Sequence, residues 1–196
     1  MPDSLIAGMQ HGLQTNIEKI DVNDPDLHQT VHPGKAEALA QAAIPSVLIG
    51  ALIHLAKQKE PSAHIPDMDT VFAQKSSNVV EAIANYAHTT KEEAGAYISR
   101  AIAVLNQMAT DEHRGEGVAL MRALENQQSD ILKYLPSDLN IGSTLGIDLI
   151  DDRTHKMEGP LSFIANYLFN EHIHNKKSDE ALNNEDGSIE GAADKL

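Results

Sequence analysis

Residues 42–56 read AAIPSVLIGALIHLA, fifteen positions without a carboxylate, an ammonium or a guanidinium, and the fold turns on how they are buried. A membrane-spanning helix needs about 20 apolar residues. This run is shorter and is interrupted by Pro45, Ser46, Gly50 and His54, so it reads as the buried core helix of a helical protein. Taken from 35 to 57 the segment is apolar on nearly every side. Pro45 has no N–H and disfavours helical backbone at the residue before it, so a kink or a division at Ile44 is expected. Ala42, Ser46, Gly50 and His54 recur every four residues and form a stripe of small side chains ending in an imidazole. Such a stripe serves close helix packing or forms the wall of a ligand groove with His54 at its lip. Packing is the favoured reading, because small residues at this spacing are what close helix contacts use.

Outward from this segment the apolar residues recur at threes and fours rather than twos, the periodicity of helices. With 24 alanines and only seven aromatics, the composition leans the same way. Leu5, Met9, Leu13 and Ile17, with Ile6 and Ile20 nearby, predict a helix over 3–20. DVNDPDLHQTVHP at 21–33 reads as a connection, as does the stretch from Pro61 to Pro66. A helix over 69–87 carries Phe72, Val79, Val80 and Ile83. Thr90 and Glu93 form a capping-box pattern, in which hydroxyl and carboxylate each meet a free backbone N–H at a helix start. Beyond it Ala94, Tyr97, Ile98, Ala101, Ile102, Leu105 and Met108 keep to one face. A helix over 111–135, weakened by Gly115 and Gly117 and closed by Pro136, buries Met121, Leu124, Ile131, Leu132 and Leu135. Residues 136–159 are too rich in glycine and turn formers for a long helix, though LNIGSTLGIDLI has room for a short one. Gly159 and Pro160 start a last helix that buries Leu161, Ile164 and Leu168, flanked by Phe163 and Tyr167. From Lys176 the chain is polar and acidic. The expectation is all-α: one compact multi-helix domain over 1–174 and a disordered acidic tail over 175–196.

A chain of 196 residues has room for one sizeable core and should bury roughly 70% of its unfolded surface. The absence of cysteine excludes disulfides, thiolate metal sites and cysteine nucleophiles, so any metal would need histidine and carboxylate ligands. It also suits a reducing compartment. MPDSLIAGMQHGLQ has neither a basic start nor a long apolar run, so it does not read as a signal peptide and a cytoplasmic protein is expected. A net charge of −14 opposes phosphate backbones and anionic membranes, and the arginines at 100, 114, 122 and 153 are scattered. The helix pair over 79–105 has the outline of a helix-turn-helix. Its second helix begins Lys91, Glu92, Glu93, an end that repels DNA, so no nucleic-acid partner is expected.

The one stretch with the residue types of chemistry is DDRTHKMEGPLSFIANYLFNEHIHNKK at 151–177. His172 and His174 lie two apart, about 200° around a helix, and cannot share a metal there. In an extended segment they could, with His155 or the Asp151–Asp152 pair completing the site for metal-dependent hydrolysis or metal binding. The favoured alternative is a solvated helix end, with imidazoles near the negative pole of the helix dipole. The ten histidines contain no H-E-x-x-H motif, and the chain has no G-x-S-x-G, P-loop or Rossmann pattern. No cofactor is expected. Asp151, Asp152, Arg153, Lys156, Glu158, Gly159 and Pro160 form a charged loop motif that serves recognition or acts as a structural clasp. In the clasp reading, which is favoured, Asp152 or Thr154 meets the turn's N–H groups, Arg153 pairs with a carboxylate elsewhere and Met157 packs inward.

AIPSVLIGALIHLA, NVVEAIANYAHTTKEEAGAYISRAIAVL and ILKYLPSDLNIGSTLGIDLIDDRTHKMEGPLS together resemble the YidB-like bacterial proteins, a family of unknown function, over about 35–168. YLP with DDRTHKMEGP is the distinctive part. The resemblance implies an all-helical fold and supplies no catalytic residues. It also implies asparagine more often than histidine at position 155, which weakens His155 as a ligand. Three functions are therefore expected in descending order: non-enzymatic protein–protein contact or self-association, a histidine and carboxylate metal site in 151–174, and small-ligand binding along the Ser46–Gly50–His54 stripe.

Overall fold

Ser4 stands in extended backbone and its hydroxyl accepts from the Ala7 N–H at 3.1 Å, which starts α1, Leu5–Leu13. Leu5, Ile6, Met9 and Leu13 are buried on one side. The helix expected to reach residue 20 stops at Gln14, whose backbone is left-handed (φ 53°). Gln14 N–H then meets His11 O at 3.2 Å and Thr15 N–H meets Gln10 O at 3.0 Å, the bond pattern that closes a helix. Ile17 is nonetheless buried, because the chain beyond Gln14 runs against another element: Ile20 N–H donates to Lys133 O at 2.7 Å. The computed structural model describes residues 4–20, 34–113 and 115–145. The connection at 21–33, the loop motif at 151–160, the helix expected from Pro160 and the acidic tail lie outside the described residues.

Helix α2, Lys35–Ala56, is the centre. Glu37 turns its carboxylate back to accept from Gly34 N–H at 3.1 Å, anchoring the start. Pro45 does not divide this helix. An interior proline costs about 3 kcal/mol. Sixteen of the 22 residues are buried, Ala42 to Ile53 without a break, and at about 25 cal/mol per Å² of apolar surface that burial outweighs the penalty. By length and composition α2 could cross a membrane, yet here it is enclosed by the other helices.

The helix expected over 69–87 is two. Asp67 caps α3, Met68–Phe72, by accepting from Thr70 N–H at 2.8 Å. Ala73, at φ 51° and ψ −139°, then turns the chain through a 3-10 turn, Ala73–Lys75, into α4, Ser76–Tyr86. That turn seats Val71 and Phe72 on α2. The capping box stands as expected: Glu93 N–H donates to Thr90 Oγ1 at 3.2 Å and opens α5, Lys91–His113. Ala94, Ile98, Ala101, Ile102 and Leu105 are buried along it.

The next helix begins six residues later than expected, because 111–113 complete α5 and α6 is Gly117–Leu132. Gly115, in left-handed backbone (φ 70°), makes the corner. At Gly117 a Cβ would lie 2.0 Å from Pro61 O, so only glycine admits the incoming connection. A 3-10 turn, Ser137–Leu139, and the short helix α7, Ile141–Leu145, follow within the segment expected to hold one. α2 packs against α1, α3, α4, α5 and α6, and the fully buried core includes Ile44, Leu48, Ile49 and Leu52 on α2 with Ile83, Ile98, Leu105 and Leu120 on the helices around it. Among the described residues there is no strand, only an isolated bridge between Ser62 and Glu116. The protein is all-α in these residues.

Candidate functional site

The polar side chains that organise this body are amides, and they sit where helices meet connections. Gln41, on the first half of α2, donates to Glu18 O at 2.9 Å and to Tyr134 O at 2.6 Å, and accepts from Glu18 N–H at 3.0 Å. One side chain thus ties the segment after α1 to the end of α6. Lys19 also lies over the Tyr134 ring and makes an exposed pair with Asp130 at 3.0 Å, a hydrogen bond that raises the Lys19 pKa and lowers that of Asp130. Gln127 Oε1 takes Leu5 N–H at 2.7 Å. On α5, Asn106 closes two bonds with one residue, accepting from Ile65 N–H at 2.9 Å and donating to Ile65 O at 2.7 Å. Both backbone groups of a connection are satisfied by one side chain.

At the start of α5, Glu93 gathers the Lys35 ammonium at 2.7 Å, the Thr89 hydroxyl and the Thr90 N–H. The Lys35 hydrogen bond first, then those from Thr89 and Thr90, hold its carboxyl at about 2. The group is exposed, so water and salt screen the pair. This is a helix-start anchor that joins α2 to α5.

The small-residue stripe is filled from within the chain. Ser46 is fully buried and its hydroxyl donates to Ala42 O at 2.7 Å. A Cβ on Gly50 would stand 2.5 Å from Val71 Cγ1 and 2.7 Å from Phe72 Cε1, so the groove beside Gly50 is occupied by α3. His54, at the end of the stripe, is half-buried, and burial lowers its pKa.

Between the end of α1 and the start of α2 lies an open depression of about 680 Å³, lined by Gln10, His11, Gln14, Thr15, Asn16, Ala36 and Glu37. Left-handed Gln14 ends α1 there, and Gln10 Nε2 braces the chain by donating to Ile17 O at 2.8 Å and Asn16 Oδ1 at 3.2 Å. Four of the seven lining side chains are uncharged amides or hydroxyls and one is a carboxylate. On α5 the ring of Tyr97 carries Arg100 at 5.6 Å, and burial raises its phenol, with the Thr15 hydroxyl and Arg100 acting the other way. Thr15 is near enough to oppose that shift, yet among the described residues no group stands in hydrogen-bonding geometry with the buried Tyr97 Oη.

The metal candidates His155, His172 and His174 and the loop residues Asp151, Asp152, Arg153, Lys156, Glu158, Gly159 and Pro160 lie outside the described residues. Among the described residues no group of three or more histidines, aspartates and glutamates stands together to hold a metal. Gln41, Asn106 and the depression were not singled out from sequence. The only trace was an amide bordering an apolar run, as where Asn106 follows Leu105. What the described groups can do is bind and orient: they offer hydrogen-bond donors and acceptors in fixed places. Compared with models of known families, with characterised proteins and with solved structures, the chain finds no match.

Proposed function

We propose that the protein acts through protein–protein contact rather than catalysis, and that its partner at the depression between α1 and α2 is a second copy of the chain. The observation that carries this reading is a concavity lined mainly by amides and hydroxyls, with Glu37 its one carboxylate, on a chain of net charge −14. Two such chains repel each other over most approaches. Gln10, Gln14, Thr15 and Asn16 carry no charge, so where they cluster they add nothing to that repulsion. Amides carry donors and acceptors together, so the same patch on two copies can satisfy itself across a two-fold axis. The kinship with the YidB-like proteins and the cytoplasmic location belong to the same proposal, on the residues and composition already given.

Sedimentation equilibrium of the full chain tests it. The native chain should dimerise in a concentration-dependent way, more strongly at higher salt, which screens the acidic surface. Gln14→Glu with Asn16→Asp adds two carboxylates per copy at nearly unchanged shape and leaves Asn16's acceptor for Gln10 in place. That variant should stay monomeric at concentrations where the native chain dimerises. A native chain that is monomeric throughout, or a dimer indifferent to the paired substitution, refutes the reading.

A further inference from the structure

Past the end of α2 the chain makes a short relay, His54–Gln58–Ser62. Ser62 N–H donates to Gln58 Oε1 at 3.0 Å, and a backbone N–H can only donate. The Gln58 amide is therefore oriented: its NH₂ faces His54 Nε2, 2.5 Å away, and requires a lone pair on that nitrogen. His54 must then be neutral, with its proton on Nδ1. From this geometry we infer that His54 is a proton-operated latch on the connection at 57–67: protonating Nε2 sets two donors face to face, turns the Gln58 amide and frees Ser62.

The freed segment bears on its surroundings. Ser62 bridges to Glu116, and the Pro61 carbonyl is seated against Gly117 at the head of α6. The far end of the connection is held independently by Asn106 on Ile65. Release at Ser62 thus loosens the near half of the connection and the start of α6 while Ile65 stays in place. The titratable groups on the connection and at its two junctions are Lys57, Lys59, Glu60 and His64, Asp67 and Asp69 at the start of α3, and Glu116 opposite Ser62. None of these, and no charged group on the described helices packed against α2, contributes to the His54 shift, which burial alone causes. A histidine with a lowered folded pKa stabilises the closed state above its ordinary value of 6.5, and that stabilisation is lost as the pH falls below it.

Amide hydrogen exchange of the full-length native chain, corrected for intrinsic rates, reads the latch directly. If the closed relay excludes the imidazolium, opening at Ser62 should rise roughly 30-fold between pH 7.5 and pH 5, from the ordinary histidine value. Ile65 should not change. His54→Gln should abolish the pH dependence at Ser62. Gln58→Glu should also abolish it, because a carboxylate accepts from both Ser62 N–H and the imidazolium, and it should raise the His54 midpoint. In the native chain at pH 7.5, ¹⁵N shifts should place the lone pair of His54 on Nε2. Ser62 protection equal at both pH values, loss at Ile65 in step with Ser62, persistence of the effect in His54→Gln, or a proton on Nε2 would each overturn the proposal.

Discussion

Replacing Gly50 with alanine sets two effects of opposite sign against each other. In the interior of α2 alanine is favoured over glycine by about 1 kcal/mol through backbone entropy. A Cβ at this position would meet Val71 Cγ1 at 2.5 Å, Phe72 Cε1 at 2.7 Å and Phe72 Cδ1 at 2.9 Å. Val71 and Phe72 are both buried and have little room to retreat. Forcing an extra methyl into a packed core costs about 1–3 kcal/mol. With three contacts under 3.0 Å the cost lies in the upper part of that range, about 2–3 kcal/mol, so packing should win and leave Gly50→Ala less stable by about 1–2 kcal/mol, or roughly 2–8 °C in Tm for a chain of this size. Urea unfolding followed by circular dichroism measures this, with the slope unchanged. A cycle with Phe72→Ala isolates the cause: in that background the cost of the methyl should shrink by about 1 kcal/mol. A stabilising Gly50→Ala, or one additive with Phe72→Ala, would mean that α3 does not press on α2 at this point and that the stripe is not a packing surface.

Ala73 stands at φ 51° and ψ −139°, a region that suits glycine, so Ala73→Gly should stabilise the protein by about 1 kcal/mol in the same unfolding assay. Asn106→Asp keeps the acceptor for Ile65 N–H but sets a carboxylate oxygen against Ile65 O; a loss of about 1–3 kcal/mol is expected, with faster exchange at Ile65. Glu93, held at about 2, contributes stability that is complete above the ordinary glutamate range and is lost as the pH falls through about 2. Glu93→Gln can keep the capping box, so the native chain's advantage over it should be full at neutral pH and vanish along the acid limb of a pH titration. Untagged protein purified without chelator should carry far less than one equivalent of transition metal, equally with His172→Ala and His174→Ala, because that spacing gives no shared helical ligand set. Elemental analysis checks this, and stoichiometric metal lost in the double variant would restore the metal reading.

The order of the helices, the burial of α2 and the start of α5 were legible in residues 4–145, because each rests on local chemistry. An apolar run too rich in alanine to be strand must be buried, and Thr90 with Glu93 satisfies its own helix start wherever that helix packs. The boundaries that differed all depend on distant partners. Periodicity carried α1 on to Ile20, but Gln14 turned left-handed and Ile20 found Lys133. Nothing near Ala73 announces a break; the turn is made because Val71 and Phe72 fit against Gly50. Gly117 looked like a weak point within a helix and is instead the place where Pro61 passes. The amide clasps were hidden for the same reason, since glutamine and asparagine are common on helix surfaces and their backbone partners lie far off in sequence, 93 residues in the case of Gln41 and Tyr134. Sequence alone determined which segments become helices and which of them is enclosed, because hydrophobic period and capping act within a few residues. Only the tertiary structure decided where helices end, which polar groups hold the connections and where an amide-rich depression opens, because close approach and hydrogen-bond pairing depend on residues that the fold alone brings together.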